Sequence, residues 1–243
     1  MAAPPEVRQE ETAVARNREF FAGERWSQQI SEIDTYRLIR EAIEAELAGT
    51  KQLLDVGNGG VFEYSPELVE SIVAVDLFLS QIPAEEFPPN VVARDGDALR
   101  LSEPDETYDA VLHSFLYHHL VGETPRALLG NVRQAIAEAA RVLKPGGRLI
   151  VPEGCVPRWF YGVEKVAFRP LVGLSRTRLL GGHPATLLLP FEDVVDLVDE
   201  RLEVQRAERI PVGRWVSHFG RRWPAALTPA RPYIVVATKP QAT

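Results

Sequence analysis

The sequence predicts an α/β fold with a doubly wound, mainly parallel sheet of seven strands, N-terminal helices and an insertion after the fifth strand. Two observations predict it. Short apolar runs alternate with helical patterns through residues 50–153, and a further helix and two strands follow residue 190. The chain has 243 residues, of which 45% are hydrophobic and 25% charged. This balance is typical of a globular protein that can bury a core without disulfides.

Residues 1–49 are predicted to be helical and to form a lid segment before the first strand. One helix is expected over residues 12–21 and a second from Ser31, which Gly49 terminates. The second helix carries apolar residues at helical spacing, namely Ile33, Tyr36, Ile39, Ile43 and Leu47. Candidates for a lid over a ligand are Phe20, Phe21 and Trp26.

Residues 50–153 are predicted to be the ligand-binding core. Strands are predicted at residues 52–56, 72–75, 91–93, 110–112 and 148–152. A helix is predicted from Ser65, with Pro66 in its first turn, and a longer helix over Pro125–Leu143. The run Lys144-Pro145-Gly146-Gly147 is expected to end the longer helix, because proline and glycine interrupt helices.

Residues 154–190 break the alternation and are predicted to be an insertion on the substrate side. Their aromatic residues are Trp159, Phe160, Tyr161 and Phe168. These side chains are candidates either to wall an acceptor pocket or to form the core of a cap, and the insertion is a candidate lid or homodimer contact. Residues 191–243 then complete one domain, with a helix over 191–202 and strands near 204–210 and 233–238.

Composition limits the partners and the compartment. The formal net charge of -7 disfavours nucleic acid, because phosphate backbones repel a negative protein. Cys155 is the sole cysteine, which excludes an internal disulfide and fits a reducing compartment. The amino terminus shows no apolar leader, and no run approaches the roughly 20 apolar residues of a membrane helix. We therefore expect a cytoplasmic protein with no membrane contact.

The most informative segment is the glycine-rich turn after the first strand, Leu53-Leu54-Asp55-Val56-Gly57-Asn58-Gly59-Gly60. Glycine allows close approach to a ligand, and doubly wound sheets bind ligands at the carboxyl ends of their strands. A dinucleotide fingerprint would need another glycine where Phe62 stands. Asp55 would repel a pyrophosphate and suits a cationic amine or sulfonium. The turn therefore favours S-adenosyl-methionine (SAM) over NAD.

Four motifs in order make residues 50–153 similar to the class I SAM-dependent methyltransferases, particularly the small-molecule type related to quinone biosynthesis. The resemblance implies a Rossmann-like fold. Asn58 and Val61 depart from the family pattern, which more often has a cysteine or serine and a small residue there. The motifs are Asp55-x-Gly57-x-Gly59, Val73-Ala74-Val75-Asp76, Gly96-Asp97-Ala98, and Tyr108-Asp109-Ala110-Val111 followed by Arg141 to Leu149.

The resemblance implies a cofactor site made of Asp55, Gly57, Asn58, Gly59, Asp76, Leu77, Asp97, Ala98, His113 and Ser114. Gly57 and Gly59 would line the methionine part of SAM, with Asp55 near its amine. Asp76 would accept hydrogen bonds from both ribose hydroxyls, and Asp97 would face the adenine amine. Backbone groups of the last two residues in the set would lie near the sulfonium.

The three acids also have structural interpretations. Asp55 could cap a turn, and Asp76 could be a solvated acid at a strand end. Asp97 depends on a register that the nearby Asp95 could shift.

Two adjacent histidines, His118 and His119, follow the fourth strand where the family brings the acceptor. Either imidazole, with His119 as the first choice, could take a proton from a hydroxyl as the methyl group arrives, and both could instead be packing residues. With His113 they also suggest a metal, but no carboxylate is spaced suitably with them, so no metal is expected.

The sequence thus predicts methyl transfer from SAM to a small molecule, with an oxygen of a natural-product-like or lipid-like acceptor as first choice. The alternatives are N- or C-methylation, a SAM-binding module without turnover, a dinucleotide-dependent oxidoreductase, and nucleic-acid methylation. The last usually needs an Asn/Asp-Pro-Pro-aromatic run, and the corresponding place reads Ser114-Phe115-Leu116-Tyr117.

Overall fold

The computed structural model describes residues 34–120, 124–175, 186–218 and 221–241. The helix predicted over residues 12–21 and the candidate lid residues Phe20, Phe21 and Trp26 lie outside these ranges. The predicted division into segments therefore stays a prediction at its amino-terminal end.

The central feature is a seven-stranded sheet in the order β3-β2-β1-β4-β5-β9-β6. Strands β1 to β5 run parallel to one another, whereas β9 is antiparallel to both β5 and β6. This confirms the predicted fold class; a separate hairpin of β7 and β8 was not predicted. The strands are β1 (Gln52–Val56), β2 (Ser71–Asp76), β3 (Val91–Asp95), β4 (Tyr108–His113), β5 (Leu143–Cys155), β6 (Glu203–Arg209), β7 (Trp215–His218), β8 (Arg221–Pro224) and β9 (Arg231–Thr238).

Helices cover both faces of this sheet. The α-helices with described bounds are α1 (Asp34–Leu47), α2 (Pro125–Val142), α3 (Arg158–Ser175) and α4 (Phe191–Asp199). On one face, α1 packs Ile39, Ile43 and Leu47 against the sheet, because these positions share one side of the helix. On the other face, α2 and α4 pack into a second apolar cluster. Within the described ranges, none of the helices is long and apolar enough to cross a bilayer.

The helix predicted from Ser65 is wrong. Between β1 and β2 the chain forms a 3₁₀ turn at Pro66–Leu68. Too few residues remain for an α-helix, because β2 begins six residues after Ser65. The Asn90 side chain also fixes the turn by donating to the carbonyls of Pro66 and Val69, each at 2.9 Å. The glycine-rich loop therefore leads into irregular chain.

The predicted end of the long helix is confirmed, since α2 stops at Val142. The following strand β5 is longer than predicted, and residues 144–147 form a bulge where its register with β4 shifts. The Lys144 ammonium lies 2.7 Å from one carboxylate oxygen of Asp109. The other oxygen of Asp109 accepts a hydrogen bond from the Gln52 amide at 2.9 Å. This part of the family-like motif thus joins the starts of β1, β4 and β5.

The aromatic residues of the insertion differ in exposure. Tyr161 and Phe168 of α3 are buried in the main core, whereas Trp159 is 68% exposed. Residues 176–185 lie outside the described ranges. The predicted substrate-side role of the insertion stays a prediction.

We expect Ile43→Ala to lower the free energy of unfolding by about 2–5 kcal/mol, because it leaves a cavity between α1 and the sheet. Ile43 is fully buried. The control is Glu41→Ala on the exposed side of the same helix, where the side chain forms an ion pair with exposed Arg37. It should stay within about 0.5 kcal/mol of the wild type, because exposed ion pairs contribute little. Urea unfolding of the three proteins measures both values, and equal stability would contradict the packing of α1 on this face.

Candidate active site

The candidate site lies at the carboxyl edge of the sheet, where β1, β2 and β4 end together. Val56, the last residue of β1, is in register with Val75 of β2 and with His113 of β4. Parallel strands that end at one level place their following residues side by side. The glycine-rich loop, Asp76 and Ser114 are therefore brought together, as the sequence predicted.

The glycines of the loop are required by its backbone. Gly57, Gly59 and Gly60 have φ angles of +80°, +61° and +81°, in the left-handed region that other residues rarely adopt. The amide of Gly57 donates to the carbonyl of Val75 at 2.8 Å. A Cβ atom on Gly57 would lie 2.6 Å from Cδ1 of Leu116, so the loop has no room for a side chain there.

Asp76 holds this loop through both of its carboxylate oxygens. The Gly59 amide donates to one oxygen at 2.9 Å, and the Leu77 amide donates to the other at 2.6 Å. Burial raises the pKa of Asp76, and these two amides oppose the shift. Each oxygen keeps a second lone pair, so the carboxylate can still accept two hydroxyl groups. Asp76 is thus more than a solvated acid at a strand end.

Asp55 is buried in the strand that feeds the loop, with 1% of its surface exposed. One oxygen, Oδ2, accepts from Asn58 Nδ2 at 2.8 Å and from the Tyr64 hydroxyl at 2.9 Å. The other, Oδ1, is buried and has no hydrogen-bond partner within the described ranges. Burial raises the pKa of Asp55 to about 7, against the effect of the two donors.

Asp97 and Ala98 follow β3 beside this region. The Gly96 amide donates to the Asp76 carbonyl at 2.9 Å, which joins the two strand ends. Asp97 is exposed and its carboxylate accepts from the Leu99 amide at 2.9 Å, whereas Ala98 is buried. The carboxylate therefore caps a local turn, and its second oxygen stays available for another partner.

His113 and Ser114 have different surroundings. His113 is buried, its Nδ1 lies 3.3 Å from the Tyr117 hydroxyl, and burial lowers its pKa to about 3. Its imidazole is therefore neutral and belongs to the packing. The Ser114 hydroxyl donates to Glu63, whose pKa burial raises to about 7.

His118 has a buried carboxylate partner that the sequence analysis missed. Glu153 of β5 is 2% exposed and lies 2.7 Å from Nδ1 of His118. It also accepts from the amides of Tyr117 at 2.8 Å and Gly154 at 2.7 Å. The ring of His119 lies against that of His118, with centroids 4.0 Å apart. An acid at the carboxyl end of the fifth predicted strand was the signal that could have found Glu153.

The described ranges show no group of three histidine, cysteine or acidic side chains arranged to hold a metal ion.

Comparisons with known proteins identify the class to which this site belongs. A methyltransferase-domain family model matches residues 54–151. The demethylmenaquinone methyltransferase of Deinococcus radiodurans is 31% identical over 173 residues, which are 66% of this chain and 68% of that protein. An uncharacterised methyltransferase of Bacillus subtilis, YcgJ, is 29% identical over 122 residues, 46% of this chain and 44% of that protein. The chain belongs to the class I SAM-dependent methyltransferases and is an enzyme of that family.

The fold agrees with solved structures of the same class. The N-methyltransferase NodS of Bradyrhizobium japonicum, in complex with S-adenosyl-L-homocysteine, matches with a TM-score of 0.57 at 14% identity, over 94% of this chain and 99% of that one. At this identity the likeness shows the shared fold.

The residues at the edge of the sheet fit the family's cofactor, SAM. Among the described residues, the second oxygen of Asp55 is a buried acceptor with no hydrogen-bond partner, which suits an incoming ammonium. The two Asp76 oxygens suit a pair of vicinal hydroxyls.

We expect Gly57→Ala to destabilise the fold by about 1–3 kcal/mol, because alanine is strained at positive φ and its Cβ would displace Leu116. The matched control is Gly130→Ala, in the exposed middle of α2 with open space around a Cβ. It should stabilise the protein by up to about 1 kcal/mol. Thermal unfolding measures the change in stability of each variant. Equal changes in the two variants would refute the loop geometry.

Proposed function

We propose that this enzyme transfers the methyl group of SAM to an oxygen of a small, largely apolar acceptor, with His118 as the general base. The observation that carries the proposal is the hydrogen bond between His118 and buried Glu153 at the edge where the loop and β4 end. An oxygen nucleophile loses a proton during the transfer, so it gains most from a positioned base.

The cofactor site follows from the acids and the loop. Asp76 would bind the ribose hydroxyls, Asp55 the ammonium, and Asp97 the adenine amine. The remaining members of the site are Gly57, Asn58, Gly59, Leu77, Ala98, His113 and Ser114. When bound, SAM supplies a methyl group on a sulfonium, which is a good leaving group. The complex of NodS with S-adenosyl-L-homocysteine supports this choice of cofactor.

Glu153 fixes the chemistry of His118. Because Nδ1 donates to the carboxylate, the neutral ring presents Nε2 as its acceptor. The negative charge of Glu153 also stabilises the imidazolium that forms when Nε2 takes the proton. Two backbone amides hold Glu153 in place, so the ring orientation is set before an acceptor arrives. We therefore favour His118 over His119.

The surroundings of the base favour an apolar small molecule. A Cβ on Gly154 would lie 3.4 Å from Leu188 and 3.9 Å from Phe115, so apolar side chains flank the residue next to Glu153. The name of the Deinococcus radiodurans relative specifies demethylmenaquinone, which is a small molecule. Amine or carbon acceptors, and SAM binding without turnover, are the alternatives to this proposal.

We expect Asp76→Ala to weaken SAM binding by about 10- to 100-fold, because it removes hydrogen bonds between a carboxylate and two hydroxyls. Isothermal titration calorimetry measures the change. Glu85→Ala, an exposed acid on the 3₁₀ turn at Ala84–Glu86, is the control and should bind like the wild type. Equal affinity of all three proteins would contradict the ribose site.

We expect His118→Asn to lower kcat for a hydroxyl acceptor by about 100-fold or more, and Glu153→Gln by at least about 10-fold. SAM affinity should change little in either variant. Mass spectrometry of reactions with phenols, hydroquinones, alcohols and amines would identify the acceptor first.

His119→Asn is the matched control and should keep nearly full activity. If His119→Asn loses most of its activity while His118→Asn stays active, the general base is His119. Methylation of amines alone would exclude the oxygen acceptor, and SAM binding without any product would favour a binding module.

A further inference from the structure

We propose that Tyr64 is a positioning residue for the cofactor: together with Asn58 it occupies one oxygen of Asp55 and keeps the other directed at the ammonium group of SAM. The inference rests on the proposed cofactor placement. It concerns residues outside the glycine motif itself, since Tyr64 lies beyond the loop.

The two oxygens of Asp55 have unequal surroundings. Oδ2 receives two side-chain donors, at 2.8 Å and 2.9 Å, whereas Oδ1 is buried and receives none from the part of the chain that the structure describes. Because both donors bind Oδ2, the carboxylate cannot rotate without breaking two hydrogen bonds. The free oxygen is therefore held in one direction, and a buried acceptor without a partner indicates a ligand donor.

Tyr64 is itself held firmly. It is 1% exposed, and its ring meets that of Phe62 edge-on, with centroids 5.8 Å apart. The next residue, Ser65, donates its amide and its hydroxyl to Glu44 of α1, at 2.9 Å and 2.8 Å. The segment that carries Tyr64 is thus joined to α1 through the residue that follows it.

This arrangement replaces a helix that the chain lacks at this point. In doubly wound folds, the turn after the first strand usually opens into a helix, whose amino terminus contributes amides and a partial positive charge. Here the loop continues into irregular chain, with the 3₁₀ turn at Pro66–Leu68. A tyrosine hydroxyl and an asparagine amide supply the donors to Asp55 in its place.

The charges around Asp55 predict a dependence of SAM binding on pH. The acids Glu63 and Asp76 both disfavour its ionisation, and its register neighbours Ala74 and Leu112 are uncharged. Its pKa is accordingly raised to about 7, with burial as the main cause. An ammonium ligand stabilises the carboxylate, so binding lowers this pKa and releases protons near pH 7. Affinity should therefore fall as pH drops through about 7.

The test is calorimetric titration of SAM into wild type and Tyr64→Phe between about pH 5.5 and 7.5, in buffers of different ionisation enthalpy that count released protons. Tyr64→Phe should bind about 10-fold more weakly near neutral pH. Its affinity should also need a higher pH to reach its maximum, because a lost donor raises the pKa of Asp55. Tyr233→Phe is the control. It removes a hydroxyl from a ring stacked on Phe191, on β9, which β4 and β5 separate from the strand of Asp55, and it should bind SAM like the wild type.

Asn58→Ala removes the second donor to Asp55 and should shift the pH dependence of SAM affinity in the same direction. It therefore tests the inference if Tyr64→Phe does not fold. The inference is overturned if both variants keep the wild-type affinity and pH profile while Asp55→Asn has lost affinity. If Asp55→Asn binds SAM like the wild type at every pH, the cofactor does not use Asp55, and the placement fails together with the inference.

Discussion

Burial of carboxylates at the carboxyl edge of the sheet is the constraint on which the site depends. An ionised carboxylate without donors is costly away from water, by several kcal/mol. Asp76 receives amides of the loop and of its own strand end, and Glu153 receives two amides and an imidazole. The shape of the loop and the orientation of His118 therefore follow from the need to satisfy these acids.

The parallel register makes this convergence possible. Asp55, Asp76 and Glu153 belong to three different strands of one sheet. Strands β1 and β2 end at the same level, and β5 carries Glu153 past the end of β4 at the same edge. Apolar clusters on both faces fix that register, because a slip by one residue would move the side chains of each cluster to the opposite face of the sheet. Packing far from the edge thus determines the geometry at the edge.

Sequence reasoning predicted the features that depend on local pattern. The strands at 52–56 and 110–112 were found because parallel strands buried on both faces are continuous apolar runs. The loop was found because its glycines follow such a run. The helix from Ser65 failed, because its pattern ignored how early β2 begins.

The acceptor side was harder to predict, for a physical reason. His118 and Glu153 are 35 residues apart in the chain, and only the pairing of β4 with β5 makes them neighbours. Tyr64 likewise reaches Asp55 because the chain turns back where a helix was expected. Contacts that depend on tertiary pairing leave no periodic signal in the sequence.

The two halves of the site are therefore built differently. The cofactor half is formed by backbone amides and glycines around Asp76, which many sequences can supply and which resemble those of the family. The proposed acceptor half depends on side chains, chiefly His118 held by Glu153, with apolar neighbours around Gly154. Asp55 belongs to the proposed cofactor half but takes its donors from side chains, so the orientation of its second oxygen depends on Asn58 and Tyr64. Differences in cofactor affinity from other members of the family should therefore arise at Asp55 and its two donors, whereas acceptor choice should depend on the surroundings of His118.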